Sequence, residues 1–238
     1  TPQTLTATGG TGEMPNGTFT INGSSTLTLA TNFNLDATGQ DLVVTAGTFD
    51  MSTFDLDVND NVTVNGGTLI QGSGELTPNG GFTVSSGTFT GGSGDIVLPD
   101  ADFLYSGGAF QNTSATMDFS ANSGNRNFTI SGTSYTHNSG TVSLTTPNRV
   151  IFLDIGTQSF YNLFFSLSAG TITTTGTVDI DGDLTYTEHT SFNSRLNVGT
   201  WTISGNIICN ASGVGGGVIE GTTVWELDNT SPKTLTSS

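Results

Sequence analysis

The residues best placed by type and spacing to do chemistry are Asp179, Asp181 and Asp183, in the stretch VDIDGDL. Residues two apart on a strand share one face, so the three carboxylates would point outward together while Val178, Ile180 and Leu184 fill a core. Three carboxylates on one face are ligands of the kind a calcium ion takes. Asp55, Asp57 and Asp60 in DLDVNDN form a similar group. Both stretches lack the sixth-position glycine and the distal glutamate of the EF-hand loop. Calcium is therefore the one metal the pattern admits, at Asp179, Asp181 and Asp183; plain solvated carboxylates are the simpler reading, and no other cofactor is expected.

Enzymatic chemistry finds little to stand on. A glycoside hydrolase needs paired carboxylates facing one groove, and the same three aspartates are the best cluster for it. Lyase chemistry on uronates needs a base and cations to neutralise the substrate carboxylate; only Arg126, Arg149, Arg195 and Lys233 are available, in no common repeat position. His137 and His189 sit far apart in the polar settings SYTHNSG and YTEHTSF, and no nucleophile elbow ties a serine to either. The expectation is a protein that is not an enzyme and has no catalytic residue.

The elements that would position these groups are constrained first by charge. Four Lys and Arg against 20 Asp and Glu give a net charge of -16, which repels phosphate backbones and anionic lipid and argues against nucleic acid as a partner. No apolar run reaches the length of a membrane span, so insertion into a membrane is not expected. The single cysteine, Cys209, cannot form an internal disulfide or a cysteine metal cluster and reads as a small buried residue. The opening TPQTLTATGG has no basic segment followed by an apolar one, as expected of a mature form or a piece of something longer.

Organisation comes from a repeat. The glycine of a G-[TA]-[FL] element recurs at Gly47, Gly67, Gly87 and Gly108, at spacings of 20, 20 and 21. Around it, apolar residues fall into columns: Leu42, Val62, Phe82 and Phe103; then Val44, Val64, Val84 and Tyr105; then Phe49, Leu69, Phe89 and Phe110; and, in the other half of the period, Leu56, Leu76 and Ile96. Apolar residues two apart on short runs predict strands with one buried face. Like residues at one fixed period predict strands that stack as the rungs of a solenoid, with the four glycines at corners that need positive φ or close approach. A β-sandwich would not require one period.

Past Phe110 the period loosens. NFTISGTSY, from Asn127, keeps the order strand, glycine, aromatic, but Gly132 follows Gly108 by 24 residues, as inserted loops would cause. Phe152, Phe160, Tyr161, Phe164 and Phe165 then crowd one segment, predicting either a wider core or an exposed aromatic patch for a glycan or another subunit. Thr48, Thr68 and Thr88 make an outward column, as do Thr63 and Thr83; ordered threonine ranks suit ice, but the columns change to Ala109, Val43 and Leu104. Glycosylation sequons lie at Asn16, Asn22, Asn61, Asn112, Asn127, Asn210 and Asn229.

The run from HNSGTVSL through GTQSFYNLFFSLSAGTITTTGTVDIDGDLTY resembles the repeat units of large bacterial surface and secreted proteins, the filamentous-haemagglutinin-like and autotransporter-passenger-like β-solenoid adhesins. GTQSFYNL and GDLTY match the family's strands well, and the resemblance extends over about two thirds of the chain. It implies an extracellular or cell-surface structural or adhesive role, and it carries no catalytic residue.

The combined expectation is an all-β chain forming one domain over residues 1–238, a right-handed parallel β-helix with rungs of about 20 residues, more regular over 40–112 and looser over 113–238. Its expected function is an extracellular structural or adhesive element that assembles end to end into a filament or forms part of a larger surface fibre. Its partners would be further copies or neighbouring repeats. A glycan-binding or ice-binding module is the alternative, and a polysaccharide-active enzyme stands behind both.

Overall fold

A computed structural model describes residues 3–6, 16–188, 195–197, 199–211, 220–227 and 234–237. Among them there is no helix; parallel strands stack as a β-solenoid of about nine turns. Each turn visits three faces. The first carries strands such as Leu42–Val44, Val62–Val64, Asp102–Tyr105, Arg126–Ile130 and Val150–Asp154. In the early rungs one strand runs on through a bend into the second face, at Thr48–Asp50, Thr68–Ile70 and Thr88–Thr90. From Ser159 onward a separate four-stranded sheet takes that part of the rung. The third face is a ten-stranded sheet from Phe33–Leu35 to Leu235–Ser237.

The columns read from the sequence are the register of this stack. Leu42 pairs with Val62, Val62 with Phe82 and Phe82 with Phe103. Phe49, Leu69, Phe89 and Phe110 pair in the same order, as do Leu56, Leu76 and Ile96. All of these side chains are buried, in one continuous core that runs from Ile21 to Ile207. Removing successive Val, Leu and Phe side chains from water contributes about 1.5–3 kcal/mol each. The strands above and below satisfy the backbone N–H and C=O groups between them.

Extra residues leave the stack undisturbed. Phe103 pairs with Phe128 and Phe128 with Leu153, each 25 residues on, against 21 for Phe82 to Phe103. The additional length sits in the turns between strands, as the widened glycine spacing predicts.

Gly47, Gly87 and Gly108 have φ of 69°, 78° and 78°, the left-handed region that favours glycine. Gly67 is not left-handed; it is needed for space, since a Cβ there would lie 2.8 Å from Val44 Cγ1 and 2.9 Å from the Gly47 carbonyl oxygen.

A polar column was not foreseen. The position at the entry to each third-face strand, its first residue or the one before it, is held by Asn32, Asp55, Glu75, Asp95, Thr116, Thr141, Asn162, Asp183, Asn206 or Thr234. Its side chain repeatedly accepts the backbone N–H of its counterpart one rung on. Asn32 accepts from Asp55 at 3.1 Å, Asp55 from Glu75 at 2.9 Å and Asp95 from Thr116 at 2.9 Å. Asn162 accepts from Asp183 at 2.9 Å, Asp183 from Asn206 at 2.7 Å and Asn206 from Thr234 at 3.2 Å. At the entry to the first face, Asp41 does the same for Asn61 and Asp102 for Asn127. Many of the acidic residues thus serve as acceptors for strand-entry amides. Asp55→Ala is expected to cost about 1 kcal/mol, the net contribution of such a bond, and Asp55→Asn to restore most of it; paired urea titrations check both.

One carboxylate gives the stack a pH dependence. Asp100, at φ 58°, accepts the N–H groups of Asn122 and Ser123 from the next turn. Partial burial pushes its pKa up, but those two amides, the Ser123 hydroxyl and the Arg126 charge outweigh it and hold the carboxyl below its ordinary value. A lowered folded-state pKa stabilises the fold above the unfolded value and loses that contribution as pH falls through the folded one. Asp100→Asn is therefore expected to lower the melting temperature at neutral pH and to reduce its fall under acid; thermal melts of both proteins across that range check this.

Candidate functional site

The three aspartates do not form one face. Their strand, Thr177–Ile180, ends before Asp181, and the chain turns through Asp181-Gly182-Asp183, so only Asp179 lies on it. Asp181 accepts a hydrogen bond from the Ser159 hydroxyl at 2.7 Å and meets His137 Nε2 at 3.3 Å. Asp183 belongs to the strand-entry column and accepts both the backbone N–H and the side-chain amide of Asn206. Among the described residues, no group of three or more His, Cys, Asp or Glu is placed to hold a metal ion. The turn, an Asp-Gly signal, is what separates the carboxylates.

The serine, histidine and aspartate brought together here are not in catalytic order. A hydrolytic triad needs the serine hydroxyl on the histidine, whereas Ser159 and His137 both bind Asp181. The other ring nitrogen, His137 Nδ1, accepts the Ser139 N–H at 3.0 Å, and the imidazole lies against Tyr161 with ring centres 5.3 Å apart. The cluster ties together the corners of three successive turns. His189 lies outside the described residues. Arg126, Arg149 and Arg195 stand in different columns, since Arg126 aligns with Ile151, Arg195 with Thr171 and Val150, and Arg149 precedes Val150; Lys233 also lies outside the described residues.

The aromatic segment divides between core and three separate surfaces. Phe160 and Phe165 are fully buried. Phe152 is exposed on the first face, and Tyr161 is exposed at the corner beside His137. Phe164 points out from the third face, where it aligns between Ser143 and Thr185. The sequence reading of one wide core or one patch is thus replaced by a division that follows the strand alternation of Asn162–Leu167.

Beside Phe164 the third face is concave. A cleft of about 430 Å³ crosses four successive rungs. One wall is the strand-entry column Thr116, Thr141, Asn162 and Asp183; the other is Ser143, Phe164 and Thr185. Small Thr141 and Ser143 stand one rung before the larger Phe164 along this cleft. No lining residue is cationic.

The threonine rank is real but short. Thr26, Thr48, Thr68 and Thr88 are in register, one rung longer than the sequence suggested, and end at Ala109. The adjacent rank reads Thr28, Asp50, Ile70, Thr90 and Gln111, which breaks the uniform surface. Of the sequons, Asn112 is buried and donates to the Tyr135 hydroxyl, so in the folded protein it is not an acceptor site; Asn229 lies outside the described residues. Cys209 is buried and free, as its composition-level reading expects.

No protein-family model matches the chain, and no curated protein or solved structure matches it either.

Proposed function

We propose that this β-solenoid is a non-enzymatic structural or adhesive element that works outside the cell, as a segment of a surface fibre built by adding rungs. The observation that carries this reading is the stack itself, about nine turns of parallel strands on one continuous core, a form that lengthens by adding rungs; its last described rung shows the same columns continuing. Leu227 continues the inward column of Ile180 and Ile203, and Leu235 continues that of Leu184 and Ile207. Inside the stack these columns are almost fully covered, but Leu227 is 63% and Leu235 75% exposed. Among the described residues no strand pairs on the far side of either of their strands, and an open edge is a template for a further strand. A next rung, from another copy or from sequence continuous with this one, would cover both.

The resemblance to bacterial surface solenoids supports the same role, and the acidic surface suits a protein that stays dispersed until its ends meet. Ser159 and His137 each bind Asp181 rather than each other, so this cluster is not arranged as a hydrolytic triad. Electron microscopy of the purified protein at increasing concentration tests assembly. Rods that lengthen with concentration, and that Leu227→Asp with Leu235→Asp shorten to single units, are the expected result; dispersed monomers at high concentration, unaffected by these changes, would sink the end-to-end reading.

A further inference from the structure

We propose that the third-face cleft beside Phe164 is a binding site for an uncharged oligosaccharide lying along the solenoid axis. This adds a ligand to the adhesive part of the reading above and does not depend on how the rungs assemble. The ligand class follows from the wall chemistry. Phe164 offers an aromatic ring to one side of a hollow, and the apolar C–H face of a pyranose packs on such a surface while its rim stays polar. The opposite wall supplies hydroxyls from Thr116 and Thr141, the Asn162 amide and the Asp183 carboxylate, the donors and acceptors that orient a polyol.

The strand-entry bonds hold that wall in place. Asn162 uses its carbonyl oxygen on the Asp183 N–H, so its amide nitrogen is the donor it brings to the cleft. Asp183 spends one oxygen on Asn206. Ser143 is fixed by donating to Asp118 at 2.9 Å. Such a wall is organised before any ligand arrives, which lowers the ordering cost of binding.

Charge selects among sugars. With Asp183 in the wall, no lining cation and a net charge of -16, the site disfavours uronates and sulfated glycans. Because the cleft crosses four rungs about 4.8 Å apart, a linear chain along the axis reaches Phe164 and the polar residues of several rungs at once, where a single sugar reaches those of one or two. An extended oligosaccharide is favoured over a monosaccharide for that reason.

The test is titration calorimetry of the whole protein with cellohexaose, chitohexaose, xylohexaose and mannohexaose, and with an oligogalacturonate as the acidic probe. At least one neutral hexasaccharide is expected to bind with a Kd at or below about 1 mM, more tightly than its monosaccharide, with no binding of the galacturonate. Phe164→Ala should weaken that binding at least about fivefold, the scale of an aromatic contact, while Phe164→Trp keeps it and Phe152→Ala leaves it within about twofold. Circular dichroism and electron microscopy of the same variants should match the parent, so loss of sugar binding is read apart from loss of fold or of assembly. Failure of all four neutral probes to bind, binding unaltered in Phe164→Ala, or preference for the galacturonate each overturns the site. Assembly lost in Phe164→Ala with no sugar bound would also overturn it, marking the face as a contact between rods.

Discussion

Phe110→Ala is expected to lower the unfolding free energy by about 3–5 kcal/mol, the range for removing a large ring from a packed core. Among the described residues no other ring touches so many of its kind. Phe110 meets Phe89 at 4.8 Å, Phe103 at 5.3 Å, Tyr105 at 5.5 Å, Tyr135 at 5.7 Å and Phe82 at 6.0 Å. Those partners come from three successive turns, Phe110's own and the ones on either side, so the cavity weakens several rung-to-rung contacts at once. In a stack where each unit touches only its neighbours, a weak internal interface allows the two sides to unfold separately. Urea unfolding should therefore show an earlier midpoint and a broadened or two-step transition, since apparent m falls when two-state behaviour is lost. Phe152→Ala, on the exposed first face, should stay within about 0.5 kcal/mol of the parent. A change under 1 kcal/mol for Phe110→Ala would show that the aromatic stack is not what joins the regular rungs to the looser ones.

Gly87→Ala is the second large effect, and it separates two reasons for a glycine. Its φ of 78° costs an alanine about 1–2 kcal/mol. In addition, the new Cβ would fall 2.3 Å from the Gly67 carbonyl oxygen, a backbone atom that cannot rotate away, and overpacking of this kind adds about 1–3 kcal/mol. Gly39 isolates the first cost, because its φ is 87° but a Cβ there meets nothing within 4 Å. Gly39→Ala should thus lose only the conformational part, and Gly87→Ala roughly twice as much or more. Thermal melts of the two variants decide it; equal losses would mean that the corners tolerate side chains and that the rungs are further apart there than the structure has them.

Most of the fold is legible in the sequence, because burial in a strand alternates with period two and the rung length is nearly constant. Val62 over Phe82 and Leu69 over Phe89 could be aligned from letters alone. Where length varied, at the turns before Arg126 and Val150, the strands could still be recognised but not which column each residue joined: Phe128 follows Phe103 at 25 residues, a gap that no fixed period finds.

The site was much less legible. Asp183 reads as one of three equivalent carboxylates, and only the turn at Gly182 shows that it is an acceptor for Asn206 while Asp181 serves His137. The strand-entry column was missed because asparagine, aspartate, glutamate and threonine all occur in it. A scan by apolar type passes over them, although their position just before Leu56, Leu76 and Ile96 was a signal that could have been used. The cleft beside Phe164 is lined by residues of four turns, from Thr116 to Thr185, that only the strand register brings together. That grouping spans turns of unequal length, and it is hidden until the register is known.

The way the stack absorbs 25-residue turns between 21-residue ones has a consequence for how such a chain can change over generations. Vertical alignment is set by strand pairing, so the perimeter of a turn is free to drift. An insertion at a corner is paid for locally in loop closure, which grows only slowly with length, and leaves every rung above and below in place. Variation can then accumulate at the corners, and new loops can be recruited there as binding surfaces, while the wall stays the same. A lineage carrying this architecture can diversify what it touches without refounding how it folds.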